Sequence, residues 1–453
     1  MSDILPTATR VSDPGIRALY RLENRWQAWL DVEAALAHAQ AELGIIPAAA
    51  AAAAIAPKAR FELMDRARID EGFARTGHTL VPLVWELSRL VGEPHGGWVH
   101  WGATTQNITQ TGDLLVLRQA HGIFLRQIGE ALSAMADLAE RGAEMPLPGR
   151  THGQHAVPAT FGYKVAVWID EWLRHCDRLR DLSPRLFVSM LGGGAGTFAS
   201  LGHQGPPVQA GIGRILGFGT MAVPSRALGD HLAENICVLG LMAATAGKIA
   251  REIYTLMKTE FGEVEEPVPP GTVGSSTMPQ KRNPKLCQDV IAAAAEVRAM
   301  VPLALEAMMT EHEADRTTSV MMDIAESRAC VAMGDILARL TEVLLGLRLE
   351  PERMRANLDL GHGLIMAEAL MLDLGKTIGR QHAHDVIYDA AQAAFVESKS
   401  FSDLLAADTR VTAHLDKAAI EGLLDPTAYT GLCAEMAREQ AALARAKAKE
   451  LAR

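Results

Sequence analysis

From residue 107 to about residue 141 the sequence keeps one helical stripe, Leu114, Leu117, Phe124, Ile128, Leu132, Met135 and Leu138. At 1.5 Å per residue this predicts a helix of about 50 Å, far beyond the usual three or four turns. A second stripe, Phe161, Val165, Trp168, Trp172, Cys176 and Leu179, follows Pro158, and long helical patterns fill 224–261, 284–314 and 318–347. Several long helices in one central region predict a bundle. Composition agrees, because aromatics are only 5% while Ala, Leu and Met, which lose little entropy in helices, abound.

Ahead of this region, Leu22, Trp26, Trp29, Leu36 and Leu43 form a core-facing helical stripe that Gly44 ends. Residues 48–54, between Pro47 and Pro57, read as a short capped helix. At 453 residues the chain is expected to hold two or three domains. The expected fold is all-α, with three helical units: a small domain over 1–106, a long-helix bundle over 107–349 and a C-terminal domain over 350–453. No repeat of fixed period is visible.

A formal charge of −10 offers no basic face to neutralise a phosphate backbone, which argues against nucleic acid as a partner. Small anions need only a local cationic pocket. The cysteines, Cys176, Cys237, Cys287, Cys330 and Cys433, form no CxxC pair and read as a reduced intracellular set. The N-terminal stretch has no apolar run of a signal peptide, and no later stretch approaches the roughly 20 apolar residues of a membrane span. A cytoplasmic protein with no membrane contact is expected.

Polar segments interrupt the helices in three places. His100-Trp101-Gly102-Ala103-Thr104-Thr105-Gln106-Asn107 either caps the long helix that follows or uses that helix N-terminus to hold a carboxylate. Gly149-Arg150-Thr151-His152-Gly153-Gln154-His155 carries two histidines, but no nearby Glu or Cys completes a metal set. Its histidines are structural, or His152 is an acid/base or substrate donor. The third segment, Gly274-Ser275-Ser276-Thr277-Met278-Pro279-Gln280-Lys281-Arg282-Asn283-Pro284, joins paired serines to a Lys, an Arg and an Asn. Removing a proton beside a carboxylate creates a dianion, which needs cations and N–H donors where the charge develops. Lys281, Asn283 and the loop amides can supply them. A serine becomes a usable base when the same donors stabilise its alkoxide.

GSSTMPQKRNP closely resembles the GSSxMPxKxNP signature of the fumarase/aspartase superfamily. THGQHAVPATFG and VHWGATTQN resemble two further conserved segments, in family order and at family-like spacing. The resemblance implies Ser275 as catalytic base, Lys281 and Asn283 on a substrate carboxylate, and His152 as general acid or leaving-group donor. Thr104, Thr105 and Gln106 would bind carboxylate and Thr151 sits beside the histidine; Ser276, His78 and His100 complete the candidate substrate-binding set. It also implies no cofactor, no metal, a small di- or tricarboxylate substrate, and a homotetramer. Its twenty-helix core would draw each active site from three subunits.

Within the superfamily, LDVEAALAHAQAELGIIPAAA and LGGGAGTFASLG are most similar to 3-carboxy-cis,cis-muconate cycloisomerases and then to adenylosuccinate lyases. His78 matches a histidine of the latter. Several positions depart from both branches. The N-terminus has Leu19-Tyr20-Arg21 in place of an Arg-Tyr pair, and this chain reads His312-Glu313-Ala314-Asp315-Arg316-Thr317-Thr318-Ser319 where cycloisomerases follow a His-Glu-Arg with a glycine- and tryptophan-containing stretch. Gln288 replaces an acid seven residues after the loop lysine; a neutral amide cannot stabilise an imidazolium by charge. The expected reaction is β-elimination from a small succinyl compound, an N-substituted aspartate giving fumarate and an amine. The alternatives are cycloisomerisation of a carboxymuconate and a catalytically inactive, crystallin-like relative. A dinucleotide site at Gly192–Gly196 fails, because the third fingerprint position is Ala199. A metal hydrolase on His382-Ala383-His384-Asp385 is weaker still, since helix positions two apart diverge.

Overall fold

The computed structural model of the chain describes residues 5, 7–269, 271, 274–397 and 399–452. Helix Thr105–Arg141 is the axis of the molecule: 37 residues, or about 55 Å. Every residue of the stripe read from the sequence, from Leu114 to Leu138, is buried. Helices Leu22–Glu42, Phe161–Leu186, Arg316–Gly346 and Cys433–Leu451 pack along it. Asp230–Leu256, Lys285–Glu306 and Arg316–Gly346 pack on one another, and Asp230–Leu256 also meets Phe161–Leu186. The protein is all-α; the strands found among the described residues form three two-stranded ladders.

Two ends result. At the near end lie the starts of Thr105–Arg141, Asp230–Leu256 and Arg316–Gly346 and the finish of Lys285–Glu306, around one cavity. At the far end, Glu266 accepts the N–H groups of Leu286 and Cys287 at 3.0 and 3.0 Å and so caps helix Lys285–Glu306. Beside that cap, Val264–Glu265 pairs with Arg348–Leu349, which follows the long helix Arg316–Gly346.

Three expectations need correction. The segment 146–158, read as a loop, is an antiparallel hairpin of Pro146–Thr151 and Gln154–Thr160. Its prolines hide the strand pattern, and an isolated two-stranded ladder tolerates them because both strands are edges. His152 and Gly153 form the tip with φ of 52° and 77°, the doubly left-handed turn that suits a two-residue hairpin. Pro57 does not close the alanine segment, for the helical run continues through Ala51–Ile55 into Ala56–Lys58. Finally, helix Asp230–Leu256 is long and apolar enough to cross a membrane by length and composition, with a mean hydropathy of 1.3. Its buried side, including Ile236, Leu239, Met242 and Ile249, belongs to the main core, as expected of a central bundle helix.

The N-terminal helix, with Trp26 and Trp29, shares the main core. A separate apolar cluster around Leu370, Leu374, Phe401, Leu405 and Ile420 organises the C-terminal region. The last helix returns to the bundle, where Ala441 and Ala444 enter the main core. All five cysteines are free thiols.

The hairpin is held to the axis by a glycine contact. Gly162 N–H donates to the Gly142 carbonyl at 2.8 Å, and a Cβ on Gly162 would lie 2.5 Å from the Ala139 carbonyl oxygen. Gly162→Val is therefore expected to destabilise the protein by about 3 kcal/mol, measured as the shift in a urea unfolding midpoint. An unchanged midpoint would show that the two helices separate freely there.

Candidate active site

The near-end cavity has a volume of about 490 Å³. Asn107 organises its rim: its Oδ1 accepts the N–H of Thr104 at 3.0 Å, which starts the long helix, and the N–H of Gly193 at 3.2 Å. Thr104, Thr105, Gln106 and His78 all line the cavity. The N–H groups of Leu80 and Val81 donate to His78 Nδ1 at 3.3 and 3.2 Å. That places the ring proton on Nε2, which lies 3.4 Å from the Thr105 hydroxyl. Gln106 donates to the Arg226 carbonyl at 3.0 Å and accepts from its guanidinium at 3.1 Å. The His78 Nε2 proton and the Thr105 hydroxyl suit a carboxylate, while the Gln106 amide protons are engaged by Gln110 and Arg226.

His100 stands apart from this wall. Its Nδ1 lies 2.6 Å from buried Glu33. Burial disfavours the imidazolium, but the charge and hydrogen bond of Glu33 outweigh it and the pKa is raised. The cavity lining also holds the acids Asp113, Asp315, Asp323 and Glu326, together with Arg25, Arg226 and Arg316. Arg25 donates to Asp113 at 3.0 and 2.7 Å and lies 3.5 Å from Asp323. Glu326, only 8% exposed, also lines the cavity. Burial, then the charges of Asp113 and Asp323, push its carboxyl up to about 8.

At the far end, His152 is exposed at the hairpin tip, with Thr151 beside it. Arg150 anchors the strand below. Its guanidinium donates to Glu263 at 3.1 and 2.5 Å and lies over the Phe261 ring, 4.9 Å from the centroid. Glu263 is fully buried and also accepts from Asn357 at 2.7 Å. Burial and the Arg150 charge hold the His155 imidazole below the ordinary histidine range, against the pull of Glu263. His155 thus favours its neutral form.

Ser275 is partly buried on the polar loop that precedes helix Lys285–Glu306. Its Oγ accepts the N–H groups of Thr277 and Met278 at 3.3 and 3.1 Å. Two amide dipoles on one hydroxyl oxygen favour its deprotonated form. Asn283 donates to the Gly274 carbonyl at 2.8 Å and closes the loop neck, where a Cβ on Gly274 would fall 1.8 Å from the Lys281 carbonyl oxygen. Ser276, next to Ser275, is exposed. Lys281, Arg282, Lys285, Arg10 and Asn283 line a second cavity of about 380 Å³, with Glu266 as its acid.

The chain thus brings His78, Thr104, Thr105 and Gln106 together at one end, and Lys281 and Asn283 at the other. The near-end cavity includes no residue of 150–155 or 274–284. The sequence reading missed Arg150 and Glu263, Asn107, Arg25 and Asp113, and Glu326. Arg150 and Asn107 stood inside the quoted polar segments. Glu326 had only the weak signal of an acid within an apolar helical pattern.

This is the architecture of an all-helical lyase with polar loops at the bundle ends. A family model described as "Lyase" matches residues 9–299, and one described as "Adenylosuccinate lyase C-terminus" matches 363–439. The chain is 38% identical to the N-acetyl-S-(2-succino)cysteine lyase of Enterococcus italicus, over 96% of each chain. It is 39% identical to the 3-carboxy-cis,cis-muconate cycloisomerase of Pseudomonas aeruginosa, over 92% of this chain and 91% of that one. A solved fumarate lyase from Mesorhizobium sp. BNC1 superposes with a TM-score of 0.89 at 35% identity, covering 95% of this chain and 98% of that one. The chain belongs to the fumarase/aspartase superfamily of lyases and cycloisomerases.

The Glu326 shift has a pH consequence. Between the ordinary 4.5 and about 8 the folded protein holds a proton that the unfolded chain releases. This group's contribution to stability therefore falls as pH rises through that window. Glu326→Gln should raise the melting temperature relative to the parent at about pH 8.5 and much less at about pH 5. A pH-independent difference would show that Glu326 is ionised in the fold.

Proposed function

We propose that this enzyme eliminates fumarate from a small succinyl conjugate, with Ser275 as the base. The observation that carries the proposal is the pair of backbone N–H groups on the Ser275 hydroxyl. As alkoxide, Ser275 removes the proton from the carbon beside a carboxylate. Lys281, the loop amides and Asn283, once it exchanges the Gly274 carbonyl for substrate, offset the charge of the resulting dianion. The electron pair then forms the fumarate double bond as the bond to the leaving atom breaks, and His152 donates to that atom. Thr104, Thr105, Gln106, His78, Thr151 and Ser276 hold the succinyl carboxylates. Every step uses this chain's own groups.

The sequence favours nitrogen as the leaving atom, and similarity to the Enterococcus enzyme adds sulfur. Chemistry supports sulfur: a thiol of pKa about 8.5 departs without full protonation, which suits a His152 that Gln288 cannot assist by charge. Similarity to the Pseudomonas enzyme supports the second reading, cycloisomerisation, the same proton chemistry with an internal carboxylate.

One chain cannot bring ends about 55 Å apart to a single substrate. We assign the complete site to three subunits of a homotetramer with a twenty-helix core. Exposed Leu241, Leu305 and Leu345, at 50, 49 and 67%, lie on three adjacent bundle helices and support burial against other copies.

Incubation with succinyl thioethers and N-substituted aspartates should release fumarate, read by ultraviolet absorbance. Lactonisation of carboxymuconate without fumarate release from either conjugate would install the second reading instead. Ser275→Ala should lower kcat by about 10³-fold or more with helicity unchanged; parent-like turnover would remove Ser275 as base. Mixed oligomers of Ser275→Ala and His152→Ala proteins, reassembled after mild dissociation, should regain part of the activity. Failure in demonstrably mixed oligomers would assign each site to one chain.

A further inference from the structure

The hairpin that carries His152 is a two-stranded ladder, and such a ladder is marginal by itself. Its base is held at Gly162, on the axis; nearer the tip, Arg150 holds it. The pairing register shifts between Pro148 and Arg150, and a bulge of this kind re-aims the side chain beside it. The Arg150 guanidinium meets both oxygens of Glu263, at 3.1 and 2.5 Å. Glu263 is itself fixed on every side. Its N–H donates to the Leu256 carbonyl at 2.9 Å, its carbonyl accepts the Glu350 N–H at 3.0 Å, and Asn357 donates to its carboxylate at 2.7 Å. That carboxylate is fully buried within one chain, so no neighbouring subunit supplies or removes a partner there.

A buried ion pair is a weak source of stability, because apolar residues of similar volume often serve as well. What apolar residues do not supply is direction. Two parallel N–H···O bonds fix the plane of the guanidinium, and with it the strand that bears it. Arg150 lies two residues before His152 at the tip, so any tilt of this strand is carried into the imidazole. Donation to a leaving atom tolerates little error: a displacement of about 1 Å costs on the order of 100-fold in rate.

We propose that Arg150 and Glu263 are positioning residues that aim His152 at the leaving atom. This rests on the fumarate-eliminating reading above. In that step the electron pair of the breaking bond goes to the leaving atom, and His152 gives that atom a proton or a hydrogen bond. The more basic the atom, the more the step needs the donor. A misaimed His152 therefore penalises basic leaving groups most.

The test is the dependence of kcat/KM on leaving-group basicity, measured with the full-length enzyme on succinyl conjugates of aryl and alkyl thiols and of aryl and alkyl amines. Each leaving atom then gives its own comparison. Arg150→Lys keeps the charge but loses the fork; Arg150→Met/Glu263→Leu removes both charges together and leaves none buried without a partner. In both variants the alkyl conjugate should lose about tenfold or more, and the aryl conjugate less than about threefold. His152→Ala should show the same bias, and adding it to either variant should cost little more. Equal losses for alkyl and aryl conjugates, or losses that add to that of His152→Ala, overturn the positioning role, because a general weakening of the fold spares no leaving group. If no conjugate yields fumarate, the elimination reading has failed, and amide hydrogen exchange on the same variants decides the positioning role separately. Faster exchange confined to residues 150–155 upholds it. Exchange unaltered there, or raised throughout the chain, overturns it.

Discussion

The buried side of helix Thr105–Arg141 is the contact on which the rest of this structure depends. Four long helices lie against it, and a straight rod of about 55 Å can bury such a stripe only if its partners are long as well. That requirement makes a bundle, and a bundle pushes the polar connections to its two ends. The rod also separates the candidate residues: His78, Thr104, Thr105 and Gln106 gather at its N-terminal end, while the histidine hairpin and the serine loop gather beyond its C-terminal end. Our three-subunit site follows from this separation.

At the far end, order depends on Glu263. It ties the hairpin through Arg150, leads directly into the strand that precedes the serine loop, and is held by Asn357 from the C-terminal region. A fully buried carboxylate can stand there because a bidentate guanidinium and an amide satisfy it together. Breaking such a pair costs about 3–5 kcal/mol, since the surviving charge stays buried. One ion pair thereby links two loops that, in our reading, serve different active sites of the tetramer.

Charge is distributed to match. A chain with a net charge of −10 still offers a cavity lined by Arg10, Lys281, Arg282 and Lys285 at one end. At the other end Asp113, Asp315, Asp323 and Glu326 share a cavity lining with Arg25, Arg226 and Arg316. Local fields act over roughly a Debye length of 8–10 Å, so net charge says little about either cavity. In our proposal the cationic end offsets the dianion that forms beside Ser275.

Helices and candidate chemistry were legible in sequence because both are local. Periodicity exposed the stripe from Leu114 to Leu138, and the clustering of Ser275, Lys281 and Asn283 marked a loop whose residues make chemical sense together. The hairpin was not legible, because Pro146, Pro148 and Pro158 mask the alternation of its strands and the His152-Gly153 tip resembles a loop. Arg150 and Glu263 are 113 residues apart, and Arg25 and Asp113 are 88 apart; no local pattern announces such pairs. The sequence by itself determined the helical class, the polar loops and the superfamily. Tertiary structure alone decided which charges meet, that His100 is spent on Glu33 while His78 faces the cavity, and that Glu326 is buried beside the Tyr20 hydroxyl at the cavity wall. Pairing of charges depends on where rigid helices cross, and that is a property of the whole packed bundle.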